Sequence, residues 1–459
     1  MPKKNSSQTP TTKTAQPKDV DAVVLKEFGG TPGAIFVMIS SHITVYYLWM
    51  CLHHNDAAVI YPSGFYEVVP FLQRSWHYIS TYAAPSWHAA AIYFGFLIIQ
   101  AIFACVMPGV VVTGLPVPSE GGRKLQYRAN GVYSWYATLI LVALLHYFDL
   151  FKLSTVYDNL GPIMTVAALF GNATTLIAHF TAWYYGKAIR MSGSFFYDLF
   201  MGSWLNPRFG LFDLKYWAET RVAWIMLFLL TASCAVKQYQ LEGTIGAPMI
   251  FMLLAHGLYA NACMKGEEMV VYTWDIFYEK WGWMLIFWNF CGVPFVYCLQ
   301  SVYVFKHGLL AHSSPTYSAI LFGTLILAYY VWDTAQSQRN RYRMQERGTY
   351  IPRKTFPQLP WGTLKYPPEL MKTPHGTLLV DGWWKYARKI HYTCDIVMGL
   401  SWGLNCMFEN FLPYFYVCFF TVMILHRYTR DDERCRRKYG KHWDEYCKRV
   451  PYIFIPFVF

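Results

Sequence analysis

The sequence predicts an all-α, polytopic membrane protein with about ten transmembrane helices and no Rossmann domain. Three observations carry that prediction. Of 459 residues 55% are hydrophobic and only 14% charged, and the mean hydropathy is +0.21, whereas a soluble domain carries roughly a quarter charged residues. Apolar runs long enough to cross about 30 Å of hydrocarbon at about 1.5 Å per residue recur along the chain. Between those runs the cations alternate, rich on one side and poor on the other.

In chain order, residues 1–30 open with Lys, Ser, Thr, Gln and Pro and lack an apolar core, which predicts a disordered cytosolic tail and not a cleaved signal peptide. Eight spans follow at residues 33–52, 87–112, 131–148, 161–185, 222–236, 244–264, 281–305 and 308–332. A last apolar stretch, 396–425, holds Glu409, Asn410 and Pro413 near its middle. That length with a polar break predicts a tight helical hairpin, which brings the count to ten. With the tail cytosolic, all but four of the 39 Lys and Arg fall on inward segments, the exceptions being Arg74, Lys152, Lys237 and Lys306. Both termini then face the cytosol. The chain divides into the tail, a transmembrane part at 31–335 and a C-terminal part at 336–459. The linker from 345 to 382 contains six prolines, cannot be regular helix and reads as a cytosolic strap.

Nearly all of the net charge of +12 sits in three windows, 1–27, 339–354 and 427–449. None is a pure basic run with stacking aromatics, so nucleic acid is not an expected partner. The bilayer is. The 11 cysteines show neither CxxC nor Cys/His ligand spacing, so no metal site is expected and the thiols read as packing residues. Among 31 glycines no two are separated by a single residue. The dinucleotide fingerprint is therefore absent, and a bound nucleotide has to be held by side chains.

Two basic segments are candidates for that task. Arg339 and Arg343 stand at i, i+4 in Q-R-N-R-Y-R-M-Q-E-R, reading either as membrane anchors or as phosphate partners. The segment 426–451 mixes both signs with Tyr439, Trp443 and Tyr446. An anchor needs no acids, whereas ribose hydroxyls want a carboxylate, which favours a site. Acids also follow the sixth span, Glu267 and Glu268 in A-N-A-C-M-K-G-E-E, with Asp275 and Glu279 before the seventh. They read either as general acids in a low-dielectric site or as loop acids paired with Lys265 and Lys280. The stretch 193–221 alternates charges in an aromatic background and reads as an ion-paired structural strap.

Two of these stretches are recognisable. Gly193 through Tyr197-Asp198, Gly202 and Leu205-Asn206-Pro207-Arg208, with Leu425-His426-Arg427, Arg430-Asp431, Cys435 and Lys438-Tyr439-Gly440, resemble the two signatures of the sterol reductase family. That family holds the C-14, Δ7 and Δ24(28) sterol reductases and the lamin B receptor. Residues 261–268, 273–280 and 288–290 are most similar to its Δ24(28), ergosterol-type branch. The resemblance implies a multi-pass protein of the endoplasmic reticulum membrane that reduces a sterol with NADPH held by the C-terminal part. By position the contacts it implies are Arg339, Arg343, Leu379, Trp384, His391, Tyr392, Asp431, Cys435, Lys438, Tyr439 and Tyr446. Arg388-Lys389-Ile390-His391-Tyr392 departs from the R-H-P-N-Y or R-H-F-N-Y of the C-14 and Δ7 branches, which passes the asparagine's role to His391.

An isolated alkene offers no electron sink to a hydride, so reduction has to begin with protonation. Adding the proton to C28 of a 24(28)-methylene side chain leaves a tertiary cation at C24, which hydride quenches. Aromatic faces stabilise such a cation by roughly 1–2 kcal/mol each when desolvated. Glu267 or Glu268 is the expected proton donor, with Tyr and Trp of the sixth and seventh spans as the wall. The alternatives are a C-14 or Δ7 reductase, a non-catalytic sterol-binding protein like the lamin B receptor, and an isoprenylcysteine-type methyltransferase. A large N-terminal domain would accompany the second, and about 30 residues precede the first span; the complete first signature speaks against the third.

Overall fold

A computed structural model describes residues 26–308, 314–352 and 355–458. The expected tail lies, up to residue 25, outside the described residues. Residues 26–29 are tied down: the Glu27 N–H donates to the Tyr197 hydroxyl at 2.8 Å, Arg430 grips the Glu27 carboxylate, and Phe28 packs edge-on to Phe200.

Among the described residues seven helices are long and apolar enough to cross a membrane. They are α1 (Gly30–His54), α3 (Trp87–Val106), α5 (Leu160–Tyr184), α6 (Leu214–Glu242), α7 (Ala247–Lys265), α8 (Trp283–His307) and α9 (Pro315–Glu346). Helix α4 (Gly131–Tyr147) is apolar but shorter. The final stretch folds as a hairpin, α10 (Ile390–Leu404) and α11 (Phe415–Tyr439), with exposed Glu409 in its turn. Each expected span thus has its helix, while the strict length and hydropathy test is met by seven. The apolar part of α11 ends near Leu425, and the helix continues as a charged rod. A helix without a counterpart in the expected spans, α2 (Val68–Tyr82), joins α1 to α3.

Short two-stranded antiparallel ribbons decorate the face that carries Glu27 and the charged end of α11. They are β1 (Val110–Val117) with β2 (Arg123–Ala129), β3 (Arg208–Phe209) with β4 (Phe212–Asp213), and β5 (Leu370–Thr373) with β6 (Gly376–Leu379). This face also carries most of the cations, and we call it the basic face. One large core of aromatic and aliphatic side chains joins the helices, and a smaller cluster packs β5–β6 on α12 (Lys441–Arg449) and its flanks.

Helices α6 and α8 are each interrupted by one π-helical turn, Ala218–Val222 and Trp288–Gly292, and the two turns pack together. Such a turn redirects side chains within a helix. Helix α9 runs 32 residues without a break across residue 335, so the transmembrane and C-terminal parts share a helix. The proline-rich strap lies across α7 and α9: Asn261 and Lys265 donate to the Phe356 and Pro357 carbonyls, Tyr330 to Pro360 and Gln338 to Trp361.

Candidate functional site

The ends of α9, α10 and α11 converge on the basic face and collect the residues that the C-terminal segments proposed. The Arg339 guanidinium lies 4.3 Å from the Trp384 ring, and Trp384 stands 5.1 Å from His391, itself 4.2 Å from Tyr392. Trp384 is held by its indole N–H, which donates to the Ala335 carbonyl at 2.9 Å. Leu379 packs with Trp384 and Tyr342, and its carbonyl accepts from Tyr446 at 3.5 Å. Tyr439, Trp443 and Tyr446 form a ring stack against which Cys435 packs. Asp431 bonds Lys389 and Arg434. Burial alone pushes the Asp431 carboxyl up, but these two cations overcome it and bring it down to about 2. Arg343, one turn beyond Arg339, and Lys438, 4.7 Å over Tyr439, are exposed.

This cluster holds unspent hydrogen-bonding capacity. Arg339 is half-buried, bonds Gln336 at 3.3 Å and has no carboxylate partner among the described residues; Arg343 and Lys438 likewise have none. The buried nitrogens Arg388 Nε and His391 Nδ1 have no hydrogen-bond partner among the described residues. A buried polar atom left so costs about 1–3 kcal/mol, and unpaired cations beside aromatic planes suit an anionic, planar, hydroxylated group. A phosphate-bearing dinucleotide fits that donor set.

The acids fare differently. Glu267 is fully enclosed, and both oxygens are taken: Oε1 by Arg221, Oε2 by the Gly131 N–H at 2.6 Å. Arg221, in the π-turn of α6, is completed by Asn130 at 2.6 Å and Ser134 at 3.2 Å. This carboxylate therefore serves as the partner of a buried cation. Glu268 borders a polar cleft under the strap with Lys265, Asp333, Ser337 and Arg341. Asp275 pairs with Arg427 at 2.9 Å, and Glu279 accepts from Trp274 at 2.6 Å. The stretch 193–221 is ion-paired as read, with Arg208 on Asp213 at 2.9 Å and Lys215 donating to three carbonyls of residues 275–279.

A different acid, half-buried, stands between the helices about one turn into α10. The Tyr259 hydroxyl donates to Asp395 at 3.3 Å across α7 and α10. Around this pair stand Trp224 (4.7 Å), Trp332 (5.2 Å) and Trp402 (6.1 Å) against the Tyr259 ring, and Tyr416 stacks on Trp402. Tyr297 extends the wall from Tyr416 to Trp288. Sequence reasoning passed over Asp395 because the apolar run was counted from Ile396. The signal was an ionisable residue bordering a span.

A family profile described as "Ergosterol biosynthesis ERG4/ERG24 family" matches residues 23–459. The chain belongs to the ERG4/ERG24 family. It is 43% identical over 441 residues to a protein of Aspergillus fumigatus named Delta(24(24(1)))-sterol reductase erg4A, covering 96% of this chain and 94% of that one. A Gibberella zeae protein named Delta(24(24(1)))-sterol reductase is 42% identical, covering 94% and 73% of the two chains. A Dictyostelium discoideum protein named Delta(14)-sterol reductase is 38% identical, with 94% and 91% covered. The likeness to these ERG4/ERG24 relatives spans both the aromatic chamber and the basic-face cluster.

Proposed function

We propose that this chain reduces the C-24(28) double bond of a sterol side chain, the bond that Δ24(24(1)) also denotes, in ergosterol-type synthesis. The substrate follows the names of two of its relatives. The observation that carries the chemistry is the Tyr259–Asp395 pair enclosed by tryptophan and tyrosine rings. In this reading the pair supplies the proton that an unconjugated alkene requires, beside ring faces able to bear the resulting cation.

The residues divide the work. A proton taken up on Asp395 turns its O–H toward the Tyr259 oxygen and frees the phenol hydrogen for C28. The cation at C24 then faces the rings of Trp332, Trp402 and Tyr416, whose π-faces stabilise it without forming a bond. The same walls exclude the water that would trap it. NADPH, when bound, supplies the hydride that completes the saturated C–C bond. Arg339, Arg343 and Lys438 would hold its phosphates, Trp384, His391 and Tyr392 its planar parts, and Asp431 and Tyr446 its hydroxyls. Glu267 and Glu268, the donors expected from spacing, take second place to Asp395, since Glu267 is spent on Arg221. In this reading the basic face is cytosolic, where NADPH is made, and the membrane is that of the endoplasmic reticulum.

The test is turnover by the purified full-length chain in detergent or vesicles with NADPH and a 24(28)-methylene sterol. The expected product is the 24-methyl sterol. Turnover of a C-14 or Δ7 alkene in its place overturns the substrate assignment.

A further inference from the structure

Helix α2 lies at the membrane edge opposite the basic face, between the far ends of α1 and α3, and does not span. At about 100° per residue its side chains fall into three sectors. The first, Phe71, Tyr78 and Ile79, packs on the core, and Tyr78 stacks on His54 of α1 at 4.7 Å. The second, Gln73, Arg74, His77 and Ser80, is polar and exposed. Between them runs a third sector, Val69, Leu72 and Trp76, continued one turn earlier by Phe65. These four are 62%, 58%, 70% and 99% exposed.

A stripe of large apolar side chains beside a polar one needs a covering. Its neighbour in the fold says which. Helix α2 passes through Ala83–Ser86 directly into α3, whose outer side exposes Trp87 at 92% and then Phe94, Ile98, Ile102 and Val106 along its length. That side of a membrane-crossing helix meets acyl chains, so the α2 stripe continues a lipid-facing surface around the corner of the molecule. The order of sectors, core then apolar then polar, is that of a helix lying flat in the interface with its polar side to water. Trp76 and Trp87 fit the indole-rich belt of that depth.

We infer that α2 is an in-plane membrane helix whose stripe Phe65-Val69-Leu72-Trp76 is buried at the headgroup–acyl boundary of the leaflet opposite the basic face. Its partner is phospholipid, and the sterol reading plays no part in the argument. The core sector holds it to α1, and the lipid sector sets its roll.

The experiment uses the full-length chain in phosphatidylcholine vesicles with a benzophenone amino acid at position 72, 73, 76 or 77. Illumination should give phospholipid adducts at 72 and 76, at least about tenfold above those at 73 and 77. Adducts at equal yield on all four positions, or none at 72 and 76, overturn the proposal, as do protein dimers cross-linked through 72 and 76. Where a probe blocks insertion, a diffusible hydrophobic carbene applied to the unmodified protein in the same vesicles gives an independent reading. It should label Phe65, Leu72 and Trp76 and spare Gln73 and His77; the reverse pattern, or no labelling of the stripe, overturns the inference.

Discussion

Glu267→Gln separates an ion-pair partner from an acid. In the native site the carboxylate accepts from Arg221 Nε at 3.2 Å, from Arg221 Nη2 and from the Gly131 N–H at 2.6 Å. A glutamine amide has one acceptor oxygen for these donors, and its NH2 group must face an N–H whichever way it turns. The Arg221 cation, 1% exposed, then keeps Asn130 and Ser134 but no opposite charge. Breaking one side of a buried pair costs about 3–5 kcal/mol, a large part of a typical stability of about 5–15 kcal/mol. The midpoint of thermal unfolding in detergent should fall by about 3–5 °C, while turnover per folded molecule stays within about threefold. An unchanged midpoint with turnover down 100-fold would refute the structural role and restore Glu267 as the proton donor.

Asp395→Asn should lower kcat by about 10²–10⁴-fold, the usual worth of a general acid, with NADPH affinity intact; wild-type turnover would remove the pair from the mechanism. Glu268→Gln should turn over as the wild type does, and a 100-fold loss would reassign the acid to the strap cleft. Arg339→Ala removes a cation that no protein carboxylate uses, worth about 1.5–3 kcal/mol to a phosphate, so the NADPH Kd measured by calorimetry should rise about 10- to 100-fold. Unchanged affinity would sink the cofactor site. Asp431→Asn tests the Lys389 contact through pH. The folded carboxyl, at about 2, lies below its unfolded value of about 3.9, so its contribution is present above about pH 4 and lost as the pH falls through 2. The shift corresponds to about 2 kcal/mol. Wild type and variant should differ by that amount at neutral pH in chemical denaturation and converge in acid; a pH-independent difference would contradict the linkage.

In the basic-face cluster, Arg339, Arg343 and the 426–451 segment were legible from charge and ring pattern, whereas Leu379, Trp384, His391 and Tyr392 came only from the family resemblance. Arg339, His391 and Asp431 come from the ends of helices that the apolar runs announce, so their meeting needed only the helices to stand side by side. The acid was not legible in the same way. Glu267 and Glu268 are adjacent in sequence and alike in chemistry, yet one is sealed against Arg221 and the other borders a cleft under the strap. Helix α2 escaped notice because its apolar residues are divided between two faces, which leaves too low an average for a span and too mixed a pattern for a surface helix.

By itself the sequence determined which apolar runs become the long helices and which segments are basic. Those properties reside in local runs, where burial and charge act on neighbours along the chain. Tertiary structure alone decided which partner each carboxylate meets. Glu267 meets Arg221 across 46 residues and Tyr259 meets Asp395 across 136. A carboxyl's proton depends on the partner that packing brings within about 3 Å, and that partner is chosen by helices folding together.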